Sequence, residues 1–247
     1  MEELVAVLAH ILQEEIQCKK SLAVAFSGGL DSGIIAYLLR DCRAKFYTVG
    51  VEGSRDFKNA KDAAKLLNLD LQTIEIGEND ILEGLLFLKQ VDPEISILEA
   101  SFELPLYFVC SYASEDFVMT GQGSDEIFGG YKKYLEKPEL MKDDLKRLLN
   151  RTWPREKRIA TLLGKKLLTP YLSKRVLEFS LNLSAEMKIR DGVRKYILRE
   201  AAKLLGVPES IYMREKKAAQ YGSGIWKVIK KMAKKDGKSV EEFFASL

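Results

Sequence analysis

The sequence predicts an α/β protein: a doubly wound parallel sheet followed by a helical C-terminal part. Three observations carry that reading. Short apolar runs alternate with helical patterns through the first half of the chain. A glycine-rich junction, Ser27-Gly-Gly-Leu-Asp-Ser32, joins the first of these runs to the helical stretch after it. Beyond Gly130 the strand signals fade and helical spacing takes over.

Residues 1–19 open the chain as a helix, with Leu4, Val7, Leu8, Ile11 and Leu12 recurring at helical spacing, a face suited to capping the sheet or docking a partner. Leu22–Phe26, Lys45–Val51, Leu71–Ile76 and Asp116–Thr120 read as strands. Helices at 33–41, 55–68, 79–91 and 101–114 lie between them, as right-handed crossovers require. Further helices are expected at 139–150, 155–163, 173–181, 192–205 and 223–235, punctuated by Pro138, Pro154, Pro170 and Pro208. With 247 residues and 47% apolar content, one domain spanning 1–247 can bury a full core. Its parts are the N-terminal helix, a nucleotide-binding core at 20–131 and the mostly helical 132–247.

Composition excludes several chemistries. No apolar stretch reaches the roughly 20 residues of a membrane span, and the acidic start Met1-Glu-Glu is unlike a basic signal peptide, so a cytoplasmic protein is expected. Cys18, Cys42 and Cys110 lie far apart, which suits core thiols better than a disulfide framework or a zinc ribbon. One histidine, His10, sits within a helical pattern, so histidine triads and His-based zinc sites are not expected. Charge is uneven: residues 1–131 hold 10 Lys and Arg against 22 Asp and Glu, and residues 132–247 hold 29 against 14. The basic half reads either as solvated helix faces or as a wall facing an anionic ligand or nucleic acid.

The junction after the first strand is an anion site by its chemistry. Adjacent Gly28 and Gly29 let backbone N–H groups turn inward, the helix N-terminus adds partial positive charge, and Ser27 and Ser32 offer hydroxyls. Asp31 is repulsive there unless a divalent cation intervenes, so the loop reads as a site for nucleotide phosphates with Mg²⁺. The spacing and lysine of a Walker loop are absent. In a sheet of this kind ligands bind beyond the carboxyl ends of the strands. The fourth strand ends in Thr120-Gly-Gln-Gly-Ser-Asp-Glu-Ile-Phe-Gly-Gly-Tyr131, which brings Asp125 and Glu126 toward the crevice of Asp31.

Ser27-Gly-Gly-Leu-Asp-Ser32 resembles the PP-loop of the N-type ATP pyrophosphatases, which adenylate a substrate and release pyrophosphate. The loop Gly123-Ser-Asp-Glu-Ile-Phe-Gly-Gly-Tyr131, Glu-Gly-Ser at 52–54 with Asp56, Lys-Tyr-Ile-Leu-Arg-Glu at 195–200 and Arg-Glu-Lys at 214–216 make the resemblance specific. Together they are similar to the synthetase domain of asparagine synthetase from about residue 20 to 225. That likeness implies an adenine nucleotide alpha hydrolase-like fold and an ATP-dependent amide ligase of asparagine biosynthesis. A small acid, aspartate or a relative, would be adenylated and passed to ammonia or another amine.

The resemblance also implies roles. Ser27, Gly28, Gly29, Asp31 and Ser32 hold the pyrophosphate end of ATP, and Asp31 and Asp125 coordinate Mg²⁺. Phe26, Val49 and Gly121 line the adenosine, with Val49 against the adenine. Lys216 stabilises charge on the phosphates and the transition state, and Lys195 is a second basic residue near them. Two departures stand out. Family members begin with a glutaminase domain, whereas only about 20 residues precede the PP-loop here, so nitrogen is expected from free ammonia, another amine or a separate subunit. Self-association into a homo-oligomer is compatible with the sequence. Family members also read Gly-Glu-Gly-Ser-Asp-Glu where this chain has Gln122, and a carboxamide accepts no proton at working pH. Glu126, Glu103 and Glu99 are the candidates to replace that base; a different amine, or nucleotide binding with weak catalysis, are the other outcomes. A tRNA-modifying PP-loop enzyme is the competing class, weakened by the missing cysteine pair and by the lack of aromatic residues interleaved with the lysines.

Overall fold

The computed structural model describes residues 1–214 and 222–247. Five parallel strands form the sheet: β1 (Leu22–Ala25), β2 (Ala44–Gly50), β3 (Leu71–Glu75), β4 (Phe117–Met119) and β5 (Lys166–Leu168). Their spatial order is β3-β2-β1-β4-β5, with Leu22 paired to Ala44 on one side and Phe117 on the other. The winding therefore reverses beside β1, and the loops leaving β1 and β4 open a crevice at that switch point. Leu22, Ala23 and Val24 are fully buried, which is why β1 reads as a continuous apolar run rather than an alternation.

Helices cover both faces. Leu22, Val24 and Phe46 pack beneath α1 (Glu2–Glu15), α2 (Leu30–Leu39) and α3 (Arg55–Leu67). Ala23, Tyr47 and Val49 face the opposite core, built by α4 (Glu78–Val91) and α5 (Ile97–Tyr112) with helices from the later chain. Ser54 caps α3 by accepting from Phe57 N–H. α5 begins at Ile97 rather than 101 because Ser96 and Glu99 form a reciprocal capping box.

The remaining helices are α6 (Ser124–Phe128), α7 (Leu140–Arg147), α8 (Trp153–Leu162), α9 (Lys174–Leu181), α10 (Ala185–Lys188), α11 (Tyr196–Leu205), α12 (Glu209–Tyr212), α13 (Ile225–Lys235) and α14 (Val240–Ala245). Residues 132–247 are mostly helical, yet they also supply β5, so the sheet draws on both halves of the chain. Between α7 and α8 the chain does not break at Pro154. It passes through a π-helical turn at Leu148–Thr152, and Pro154 follows that turn at the start of α8. The helix expected at 192–205 starts only at Tyr196, because Asp191 and Gly192 make a turn with φ of 50° and 75° joining two short strands, β6 (Ile189–Arg190) and β7 (Val193–Arg194). Among the described residues no helix is long and apolar enough to cross a membrane.

α8 is tied to the sheet side by one buried cation. Arg155 is 1% exposed; its Nε donates to Glu103 at 2.9 Å and its Nη1 to Asp92 at 3.0 Å, with Glu99 at 3.6 Å. Burial pushes the Glu103 carboxyl up to about 7; Arg155 opposes the shift, and the neighbouring Glu99 and Asp92 add to it. Arg155→Met leaves three carboxylates without their shared partner and should cost about 3–5 kcal/mol, as removal of one member of a buried ion pair does. Arg155→Lys, lacking the planar fork, should recover only part of that loss. Urea unfolding of the three proteins measures both.

Candidate active site

The PP-loop turns on Gly28, whose φ is +71°; a Cβ there would stand 2.5 Å from the Asn59 carbonyl oxygen. Glycine alone satisfies both conditions. The Ser32 hydroxyl accepts from Ser27 N–H at 3.2 Å, and the Ser27 and Ser32 hydroxyls lie 3.2 Å apart. Gly29 caps α2 without a side-chain hydrogen bond, so the PP-loop meets the positive end of that helix. Arg214 closes the loop from outside, its Nη1 donating to the Gly28 carbonyl at 2.7 Å and to the Asn59 carbonyl at 2.8 Å.

Asp31 and Asp125, expected to share a metal, come together around Lys195. Lys195 Nζ lies 2.6 Å from Asp31 Oδ1 and 2.8 Å from Asp125 Oδ1, and it donates to Ser124 Oγ at 2.8 Å. The lysine is 3% exposed and its own φ is +57°, a left-handed conformation imposed at the foot of the β6–β7 hairpin. Gly130 makes room for the cluster, since a Cβ there would meet Asp125 Oδ1 at 1.9 Å and Lys195 Cε at 2.4 Å. Tyr171, fully buried, donates to the Asp31 carbonyl at 3.0 Å and fixes the start of α2 from the far side.

These donors fit a nucleotide with a divalent cation. Two carboxylates with an oxygen each within 2.8 Å of one ammonium can also face one metal ion. Among the described residues no group of three or more His, Cys, Asp and Glu side chains is placed to hold a metal. Two carboxylates completed by phosphate oxygens and water is the set Mg²⁺ accepts.

Gln122 is held by a residue that the sequence did not single out. Its Nε2 donates to Glu156 Oε1, and its own Oε1 accepts from Gly123 N–H at 3.3 Å. Glu156 Oε2 is buried and has no hydrogen-bond partner among the described residues. Burial, reinforced by the nearby charges of Glu103 and Glu126, pushes the Glu156 carboxyl well above the usual carboxylate range. The three carboxylates weighed from the sequence are engaged elsewhere: Glu126 accepts from Tyr131 OH at 2.7 Å, Glu103 binds Arg155, and Glu99 caps α5. Thirty-four residues separate Gln122 from Glu156, and no local pattern marks the latter; only the packing of α8 beside the β4–α6 loop brings them together.

The other expected residues fall as follows. Phe26 is 2% exposed and packs edge-on against Phe46 at 5.9 Å between ring centres, while Val49 lies on the opposite face of the sheet and is 6% exposed. Gly121 closes on α2 so tightly that a Cβ would stand 3.0 Å from Asp31 Cβ. Lys216 lies outside the described residues.

A family model described as asparagine synthase matches residues 3–168 and 139–244. The chain belongs to the asparagine synthase family. Its members are ATP-dependent ligases. The chain is 31% identical over 288 residues to a putative asparagine synthetase (glutamine-hydrolyzing) of Methanocaldococcus jannaschii, covering 97% of this chain and 53% of that one. It is 28% identical over 212 residues to the carboxyethyl-arginine beta-lactam-synthase of Streptomyces clavuligerus, covering 81% and 40%. It thus spans about half the length of the curated relatives it matches. An NMN synthetase structure from Francisella tularensis aligns with 98% of this chain and 90% of that one, at 13% identity and a TM-score of 0.48.

The asparagine synthase PP-loop should tolerate no side chain at Gly28. Gly28→Ala adds roughly 1–2 kcal/mol of left-handed backbone strain to the clash with Asn59. The expected outcome is a lower urea midpoint together with weakened nucleotide binding, the latter read by calorimetric titration with ATP and Mg²⁺.

Proposed function

We propose that this chain adenylates a small carboxylic acid, aspartate or a close relative, with ATP and transfers the acyl group to ammonia or another amine. The observation that carries the reading is the convergence at one switch point of the PP-loop, the Asp31–Lys195–Asp125 cluster and the Gln122–Glu156 pair. In the first half-reaction an acid oxygen attacks the α-phosphorus, the bond to the bridging oxygen breaks, and pyrophosphate leaves. In the second the amine nitrogen attacks the acyl carbon and AMP departs.

Each residue contributes by position. Ser27, Ser32 and the α2 N-terminus receive phosphate oxygens, and Asp31 and Asp125 would hold Mg²⁺. Bound there, the ion supplies neutralisation of phosphate charge. Lys195 keeps the two carboxylates facing one another and adds a fixed positive charge where pyrophosphate develops negative charge. Lys216 is proposed, on its motif alone, to act on the same charge. The amine must shed a proton, and Gln122 cannot take it. Glu156 Oε2 is the acceptor, a carboxylate whose proton affinity is raised by burial and so suits it to base work.

Pyrophosphate release with ATP, Mg²⁺ and a panel of acids tests the first half-reaction. Asp31→Asn and Asp125→Asn should each abolish most of it, and undiminished release in both would end the shared-metal assignment. Lys216→Ala should lower kcat far more than it weakens ATP binding.

Glu156→Gln should leave pyrophosphate formation largely intact while lowering amide formed per pyrophosphate by about 10²-fold, the low end of what a positioned base gives. Because the unprotonated carboxylate is the active form, wild-type transfer should rise with pH as Glu156 ionises, above the ordinary carboxylate range. That limb should be missing in Glu156→Gln, and a wild-type-like profile in the variant would remove Glu156 from the reaction.

A further inference from the structure

A hollow of about 460 Å³ lies between α6, α7, α9 and the end of α10. Lys188 forms part of its wall. That residue is 8% exposed, and no hydrogen bond or ion pair is made by its ammonium among the described residues. Burial with no opposing partner holds its proton affinity below that of an ordinary lysine. An ammonium left this way costs free energy until an anion enters beside it. Ile127, Met141 and Leu145 supply an apolar wall, and Glu126 and Glu139 lie on the same rim. A single buried ammonium matches a singly charged anion, whereas the second charge of a phosphate would be disfavoured in a hollow whose lining also includes Glu126 and Glu139.

The geometry points to this hollow as a binding site for a small monocarboxylate with an apolar body, its carboxylate on Lys188 and its hydrocarbon against Ile127, Met141 and Leu145. The site is separate from the nucleotide crevice and does not depend on the amide-ligase reading. It borders the catalytic loop all the same. A Cβ on Gly129 would stand 3.5 Å from Lys188 Cβ, and Glu126 directly follows Asp125.

Hexanoate is the probe, with 1-hexanol and inorganic phosphate as controls. Lysines are labelled by ¹³C reductive methylation, and the Lys188 resonance is assigned by its absence from Lys188→Met. Its titration should fall below those of the surface lysines, Lys142 on the same rim included, and should move upward on saturation with hexanoate but with neither control. Calorimetry should show hexanoate binding weakened about tenfold or more in Lys188→Met, the scale of a lost charged hydrogen bond. Met141→Trp, which fills the hollow and keeps the lysine, should lose binding as well. Equal hexanoate affinity in wild type and both variants overturns the proposal, as does a Lys188 resonance that responds to hexanol or phosphate as it does to hexanoate.

Discussion

The ammonium of Lys195 holds the active-site architecture together. It touches Asp31 on the first turn of α2, and Ser124 and Asp125 on α6, while its own backbone links the β6–β7 hairpin to α11. Three segments far apart in sequence are thereby fixed at the place where the sheet changes its direction of winding. Two carboxylates buried side by side would repel strongly in so dry a setting, and one lysine makes their proximity favourable. Several local features serve this contact: the absent side chain at Gly130, the left-handed backbone at 195, and the Asp191-Gly192 turn that delivers the lysine.

A second electrostatic arrangement lies on α8, where Arg155 and Glu156 are consecutive. The arginine turns toward α4 and α5 and is occupied by Asp92, Glu99 and Glu103. Glu156, the next residue on the helix, has the neutral amide of Gln122 as its hydrogen-bond partner among the described residues. Its proton affinity is high because it is buried, with the charges of Glu103 and Glu126 adding to the effect and Arg155 and the Gln122 amide opposing it only in part. The Glu156 carboxylate stands one side chain back from the β4–α6 loop, with the Gln122 amide between.

Much of the fold was legible in the sequence because it is written locally. β1 and the PP-loop could be read from Leu22 to Ser32, since a double-buried strand is a plain apolar run and paired glycines have few other uses before a helix. The Thr120–Tyr131 loop announced itself in the same way. What escaped depends on contacts between distant residues. β5 is only Lys166–Leu168, too short for periodicity, and becomes a strand because β4 offers it an edge. The β6–β7 hairpin did carry a local sign in Asp191-Gly192, which the strong helical spacing further on overrode. Glu156 resembles any acid on an amphipathic helix until Gln122 is seen against it, and the motif that put Lys195 near the phosphates did not show that its ammonium stands between Asp31 and Asp125.

The first helix of the fold, α1, packs against α11, and Arg175 of α9 reaches Glu14 at 2.6 Å. During synthesis on the ribosome, the surface that receives α1 is complete only once α11, which follows the whole sheet and α9, has been made. Leu8 and Leu12, fully buried in the finished protein, must wait uncovered through that interval. Loop closure over such a distance is slow, so the apolar stripe of the α1 segment stays unsatisfied in the nascent chain, where a lone helix of 14 residues is only marginally stable. Its burden therefore falls on the period of translation, when chaperones would meet that exposed stripe before the rest of the protein does.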